Sequence, residues 1–348
     1  MMKTLVWEDI ESLLMGAALY GCGGGGDLSS SLELLRRLGV DSAYLTDLES
    51  VDGSVASVYE VGSVGSRRGG DPFKAATACI KRAAQDLGES IRALVPIELG
   101  ATSIALSLAV AHSLGIYVAD CDRVGRAAPE IHQDLYILHG LTPLPACVAT
   151  PGLELVLAIA RGSVDDYEWL ARSIASKYGS ALVVDGLRSA REVSNIVARY
   201  TLSRCIEVGY AMKTGGGLDN VCKASGALGA VKARILDTRL RDSGGFLEGY
   251  VLAEVRRDVF RLYVKNEVIA MVRERDGSPR ALPPDLIALL SEDLRPLHTH
   301  SLRPGRELYL VAIPSHSAWR SSRGLELFGP RRFGLDYEYV PIEELWRW

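Results

Sequence analysis

Apolar positions follow two rhythms along this chain. Up to about residue 225 they recur at helical spacing, interrupted by short apolar runs; after Gly226 they alternate. Ile10, Leu13, Leu14, Ala17 and Ala18 share one face of a helix over 8–20, and Leu32, Leu34, Leu35 and Leu38 mark a second helix at about 28–38. Residues 55–61 read as a strand. Pro72 opens a helix that runs to about Leu87, in the position proline favours. Residues 91–97 read as a buried strand, 102–114 as an apolar helix stopped by Gly115, and 116–119 as the next strand. Strands and helices in alternation predict a parallel sheet covered by helices.

A strand at 153–160 follows, and Ser163-Val164-Asp165-Asp166 signals the start of a helix to about Tyr178. Residues 181–185 read as a short strand and 189–213 as one long helix. Beyond Gly226, alternating segments are punctuated by Ser243-Gly244-Gly245 and Asp276-Gly277, which are hairpin turns. Closely spaced strands of this kind predict an antiparallel barrel or sandwich. The expected fold class is therefore α/β. An N-terminal domain with a mainly parallel sheet covered by helices (1–162) and a connecting segment (163–225) precede a mainly antiparallel, barrel-like β domain (226–348).

Composition narrows the functional classes. The chain has 348 residues, 48% of them hydrophobic and 24% charged, with a net charge of −4. That composition fits a globular protein with a large core. Without a basic run, nucleic acid is not an expected partner. Met1-Met2-Lys3 leads into Trp7-Glu8-Asp9 rather than an apolar leader, and no run of about 18 apolar residues exists, so the expectation is a cytoplasmic protein off the membrane. Six scattered cysteines (Cys22, Cys79, Cys121, Cys147, Cys205 and Cys222) form no C-x-x-C, which predicts reduced thiols.

Candidate chemistry concentrates in two places. Gly23-Gly24-Gly25-Gly26-Asp27 joins the first two helices; glycines there admit positive φ and close approach of a ligand, and Asp27, Ser29 or Ser30 can cap the second helix. No lysine follows at the position a phosphate-binding loop requires, which argues against a nucleotide module. The second place is 120–134. Asp120 and Asp122 would share one face of an extended tip, with Glu130 and His132 repeating the spacing. Such a set can ligate a divalent metal ion, with Asp120, Asp122 and His132 as ligands, or do acid–base work; Arg123 and Arg126 can instead neutralise the aspartates or grip a carboxylate. Strand ends where ligands bind would also carry Glu98 and a second glycine-rich loop, Gly62 to Gly70. His298 and His300 would share a face of an extended segment. Asn266-Glu267 and Pro284-Asp285 interrupt apolar strands, either to satisfy barrel corners or to face the cleft.

The glycine run, Val95-Pro96-Ile97-Glu98, the segment Asp120 to Glu130, Gly244-Gly245-Phe246, Asn266-Glu267, Pro284-Asp285-Leu286-Ile287 and Gly329 to Gly334 occur in an order that resembles the S-methyl thiohydantoin desulfurase family, also labelled hydantoin utilization protein A. The resemblance runs through nearly the whole chain. It implies an N-terminal three-layer α/β domain followed by a C-terminal mainly β domain, and hydrolysis at a hydantoin-type ring with loss of a thiol or sulfide from C2. On that reading Glu98, Asp120, Asp122 and Glu130 act as base or metal ligands, and Arg126 orients the ring. Gly23 to Gly26, Asp27, Asn266 and Glu267 would line the substrate site. A homo-oligomer is expected. The alternatives are a catalytically silent subunit of a hydantoinase or oxoprolinase system, or a small-molecule binding protein.

Overall fold

The computed structural model describes residues 2–62, 71–87, 90–153 and 155–348. The second glycine-rich loop lies, from Ser63 on, outside the described residues. The chain begins with β1 (Met2–Val6), α1 (Trp7–Tyr20), α2 (Leu28–Arg37), β2 (Ser42–Thr46), β3 (Ser54–Val61), α3 (Pro72–Leu87), β4 (Ile91–Leu94), α4 (Ala101–Leu114) and β5 (Tyr117–Ala119). There follow β6 (Cys121–Asp122), α5 (Leu135–Leu138), β7 (Ala146–Ala149), β8 (Val156–Ile159), α6 (Val164–Tyr178), β9 (Ala181–Ser189), α7 (Ala190–Val193), β10 (Ala198–Arg199), α8 (Thr201–Lys213) and α9 (Gly217–Ser225).

These form an eight-stranded sheet in the order β1-β2-β5-β4-β3-β9-β7-β8. Its centre, β2, β5, β4 and β3, is parallel, as the strand–helix alternation predicts. Hairpin-like neighbours extend it antiparallel on both sides. Strand β9 comes from the segment expected to be a connection, yet it sits inside this sheet. Helix α4 has no polar face: every residue from Ala101 to Ala111 is buried. It is covered by α1, α2 and α3 on one side and by the sheet on the other, the situation that suits a helix apolar all round. Its C-terminus closes on Gly115 at φ 65°.

Three expectations change. The helix read over 189–213 is broken: after α7 the chain forms β10, which pairs with β6, and restarts as α8 behind Tyr200 at φ 57°. Strand pairing with Cys121 and Asp122 outweighs helix propensity there. Strands β1, β2 and β7 carry no apolar alternation strong enough to predict them. Cys79 and Cys147 are not reduced thiols but a disulfide, because α3 packs on β7 and brings their Cα atoms to 5.5 Å. Cys22, Cys121, Cys205 and Cys222 are free.

The second half contains β11 (Gly229–Ser243), β12 (Phe246–Val255), β13 (Asp258–Lys265), β14 (Glu267–Arg273), β15 (Pro279–Ala281), β16 (Leu286–Leu290) and β17 (Glu307–Ile313), then α10 (Ser322–Phe328) and α11 (Ile342–Leu345). All strand pairings are antiparallel, in the order β15-β14-β13-β12-β11-β17-β16, and the sheet curls so that β14 approaches β16 as a half-barrel. Strand β16 is buried on both faces. Leu286, Ala288 and Leu290 join the core of the first half, whereas Ile287 and Leu289 join the core of the half-barrel. Strand β17 divides likewise, with Val311 and Ile313 on one side and Leu308, Leu310 and Ala312 on the other. Among the described residues no helix is long and apolar enough to cross a membrane.

Helices α1 and α8 cross at two glycines. A Cβ on Gly16 would stand 1.9 Å from Cys205 O, and one on Gly209 1.9 Å from Ser12 O. Alanine normally stabilises a helix interior relative to glycine by about 1 kcal/mol. Here the methyl meets backbone that cannot yield, so Gly209→Ala is expected to lower stability by about 2–3 kcal/mol, read as a lower urea midpoint.

Candidate active site

The glycine run is a strap pressed between the two halves. Cys22, Gly23, Gly25 and Gly26 have φ of 50°, 89°, 69° and 85°. Contact demands glycine as much as torsion does. A Cβ on Gly23 would lie 2.6 Å from the Thr299 side chain, on Gly24 1.9 Å from Glu267 Oε1, on Gly25 2.8 Å from Gly100 Cα, and on Gly26 1.8 Å from Thr102 Oγ1. The strap is thus flush with β14, with the start of α4 and with a 3-10 turn at Thr299–Ser301. Val268 N–H donates to Cys22 O at 2.9 Å, and Thr299 N–H to Gly23 O at 3.0 Å. Asp27 caps α2, accepting from Ser30 N–H and Oγ at 2.7 Å each. Gly24 N–H is used by Gly21 O at 2.7 Å. Gly25, Gly26 and Asp27 line a cleft; Gly23 and Gly24 lie behind it and leave room for Thr299 and Glu267.

The acidic tip does not form one face. Asp120 turns to α8, where its carboxylate accepts from Ser203 N–H at 2.9 Å and from Ser203 Oγ. It supplies the cap that Tyr200, in the left-handed region, does not. Asp122 is buried beneath the loop and accepts from Val124 N–H at 2.7 Å and Gly125 N–H at 2.5 Å. Arg126 is buried as well, donating to Pro284 O at 2.8 Å and Asp285 O at 2.9 Å. It joins the loop to the half-barrel rather than facing a ring. His132 pairs with α6, with Nε2 3.0 Å from Asp165 and Nδ1 3.4 Å from Glu168. Glu130 does reach the cleft wall, gripped by Lys265 at 2.5 Å and Arg332 at 2.6 Å. Burial opposes its charge, but those two cations hold its carboxyl below the usual range.

Asp120, Asp122 and His132 therefore do not fit a shared metal ion. They turn toward three different places, Asp120 to α8, Asp122 to the Val124 and Gly125 amides and His132 to α6, and among the described residues no three His, Cys, Asp or Glu groups converge. The His298 and His300 segment is a 3-10 turn rather than extended, with ring centroids 5.3 Å apart. His298 lies 4.0 Å from Asp27, and His300 is on the cleft wall.

The cleft opens between the halves, with a volume of about 380 Å³. That is room for a small ring with substituents. Two carboxyl groups in it stand out. Glu98, at the end of the β4 segment, is pushed up to about 7 by burial, with the Asp122 charge adding to the shift. Ala128 N–H donates to its Oε2 at 2.8 Å and holds it in place. Glu267, at the start of β14, is pushed up to about 8, by burial first and then by the Glu98 charge. Both carboxyls face one cavity, and desolvation raises both toward neutral pH. Arg172 of α6 closes one side, its guanidinium 3.8 Å above the Phe246 ring and bonded to Glu168 at 3.0 Å. The sequence pattern did not single out Arg172 or Ser103. The one trace of the former is the Glu168/Arg172 spacing on α6, which reads as an ordinary surface pair.

Two family models together match nearly the whole chain: residues 8–158 match the S-Me-THD-like N-terminal domain and residues 163–342 the S-Me-THD-like C-terminal domain. Among solved structures, the chain is similar to a structural-genomics crystal structure of a protein from Chromobacterium violaceum. The identity is 23% and the TM-score 0.80, over 98% of this chain and 100% of that one. At that identity the likeness speaks for the fold alone. No curated protein matches.

The raised Glu267 carboxyl has a consequence for stability. The folded state holds this proton up to about pH 8, whereas an unfolded glutamate releases it near 4.5. The associated stability is complete below the unfolded value and is lost as pH rises through the folded one. Glu267→Gln removes that loss. The variant should match the parent at pH 5 and exceed it at pH 9, by on the order of 4 kcal/mol, in urea titrations at the two pH values.

Proposed function

The chain belongs to the S-Me-THD-like family, and on that premise we propose that it is a hydrolase of S-methyl thiohydantoin-type rings, releasing methanethiol from C2. The observation that carries this reading is the Glu98–Glu267 pair, which lines one cleft and is raised by desolvation to about 7 and about 8. Near neutral pH the pair then shares one proton and one negative charge, with Glu267 the stronger holder of the proton.

That division suits the chemistry. Carbon C2 carries the sulfur and lies between two nitrogens. Glu98 takes a proton from water as the C2–O bond forms, and Glu267 gives its proton to the ring nitrogen that receives the displaced electron pair. The tetrahedral adduct then collapses. Glu267 takes the hydroxyl proton as the C2 carbonyl forms, the C2–S bond breaks, and Glu98 gives its proton to the departing sulfur. Water is consumed, hydantoin and methanethiol leave, and both carboxyls return to their starting states. Ala128 N–H orients Glu98 for the first step, and Gly24 leaves the space that Glu267 Oε1 occupies.

The purified protein alone should release methanethiol from an S-methyl thiohydantoin, followed by a thiol reagent. Glu98→Gln and Glu267→Gln should each lower kcat by roughly 10²–10⁴. The rate should follow a narrow bell with limbs near 7 and 8, Glu98 having to lose its proton on the acid side and Glu267 to keep its own on the alkaline side. An inert protein without a partner chain, or parental rates in both variants, refutes the reading.

A further inference from the structure

Three polar atoms on residues lining the cleft have no hydrogen-bond partner among the described residues: Glu267 Oε2, His300 Nδ1 and Ser103 Oγ. Of these, Ser103 belongs to neither the carboxyl pair nor the histidine turn, and it is 4% exposed. It is the third residue of α4, a helix of 14 residues. The first bond of helical type in α4 runs from Ile104 N–H to Gly100 O, at 3.1 Å, and Thr102 N–H is used by Gly25 O at 3.0 Å. Ser103 therefore sits in the turn where backbone donors lack intrahelical acceptors and the helix end is electropositive. A buried hydroxyl with no partner in such a place is costly unless a ligand oxygen meets it.

The rest of the wall decides what kind of oxygen. Asp27, Glu60, Glu98, Glu130 and Glu267 also line the cleft, against one guanidinium among the described residues, that of Arg172, and of the five Glu130 is neutralised by Lys265 and Arg332. A full anion would meet these carboxyls. A neutral carbonyl, which gains negative charge only during reaction, would not. On the thiohydantoin reading, we propose that Ser103 and the N-terminus of α4 hold the C4 carbonyl oxygen of the ring. When water attacks C2, the displaced electron pair settles on the ring nitrogen next to C4 and is shared with that oxygen until the Glu267 proton arrives. Donors at O4 stabilise this charge. The site then selects five-membered rings with a carbonyl beside that nitrogen.

The test pairs Ser103 with the carbonyl. Wild type, Ser103→Ala and Ser103→Thr are assayed on an S-methyl thiohydantoin and on its C4-thione analogue, whose sulfur is a poor acceptor. Melting curves confirm that each variant is folded. The preference of wild type for the C4-oxo ring should fall about 10²-fold in Ser103→Ala and be largely kept in Ser103→Thr, which retains the hydroxyl. An unchanged preference in Ser103→Ala overturns the assignment. A second arm needs no turnover: calorimetry with hydantoin and with imidazolidin-2-one, the same ring without the C4 carbonyl. Wild type should bind hydantoin about tenfold more tightly, and Ser103→Ala should abolish the difference. If neither substrate is turned over but this binding preference holds and depends on Ser103, the hydrolase reading fails and the carbonyl site stands. If hydantoin shows no advantage, the carbonyl site fails whatever the enzyme does.

Discussion

The guanidinium of Arg123 is the fixed point on which the cleft depends. It is wholly buried, forked to Asp134 and bonded to Asp185 at 2.6 Å and Ser57 Oγ at 2.9 Å. It also lies 4.2 Å from the centre of the Tyr136 ring. The second Asp185 oxygen accepts from Tyr59 at 2.6 Å and Tyr167 at 2.9 Å. Arg123 thus ties the 120–134 loop to β3 and β9, and Asp185 extends the link to Tyr167 of α6. Two carboxylates around one guanidinium are tolerable out of water only because nearly every donor and acceptor is used. A lysine could not reproduce the fork. Space is fitted to it as well: at Gly186, φ 64°, a Cβ would lie 2.2 Å from Arg123 Nη1. The loop so fixed presents Ala128 N–H to Glu98 and carries Glu130 to the cleft wall.

The acidic groups around the cavity are not equivalent, and their partners sort them. Glu130 is neutralised by two cations, Asp27 is turned to its helix, and Asp120 and Asp122 satisfy backbone elsewhere. Among the described residues no cation forms an ion pair with Glu98 or Glu267, and desolvation raises both. The carboxyls with the fewest stabilising neighbours are the ones raised toward neutral pH. A count of acids in the sequence points to Asp120 and Asp122, because charge density along the chain marks where acids are, whereas proton affinity depends on what each one touches.

Local pattern revealed much of the fold. The period of α1 and α2, the cap signature of α6, the apolar length of α4 and the alternation after Gly226 are each read along the chain alone. The glycine run was legible because four glycines in a row need a reason, though the reason proved to be Thr299, Glu267, Gly100 and Thr102 pressing on it. What stayed hidden depends on pairs remote in sequence: Gly24 with Glu267, Arg126 with Pro284 and Asp285, Cys79 with Cys147. The break before α8 was hidden likewise, since only pairing with β6 reveals it. Ser103 looked like one more small residue in an apolar helix; its position in the first turn gave it meaning.

Strands β16 and β17 send alternate residues into two different cores, and β9, from the second matched half, completes the sheet of the first. Neither half keeps a sealed interior without the other. Either one produced separately would show water a long greasy stripe and an open sheet edge, a surface that invites clumping. Gene rearrangements that separate the two parts should therefore be purged, so the pair travels through evolution as a single heritable block.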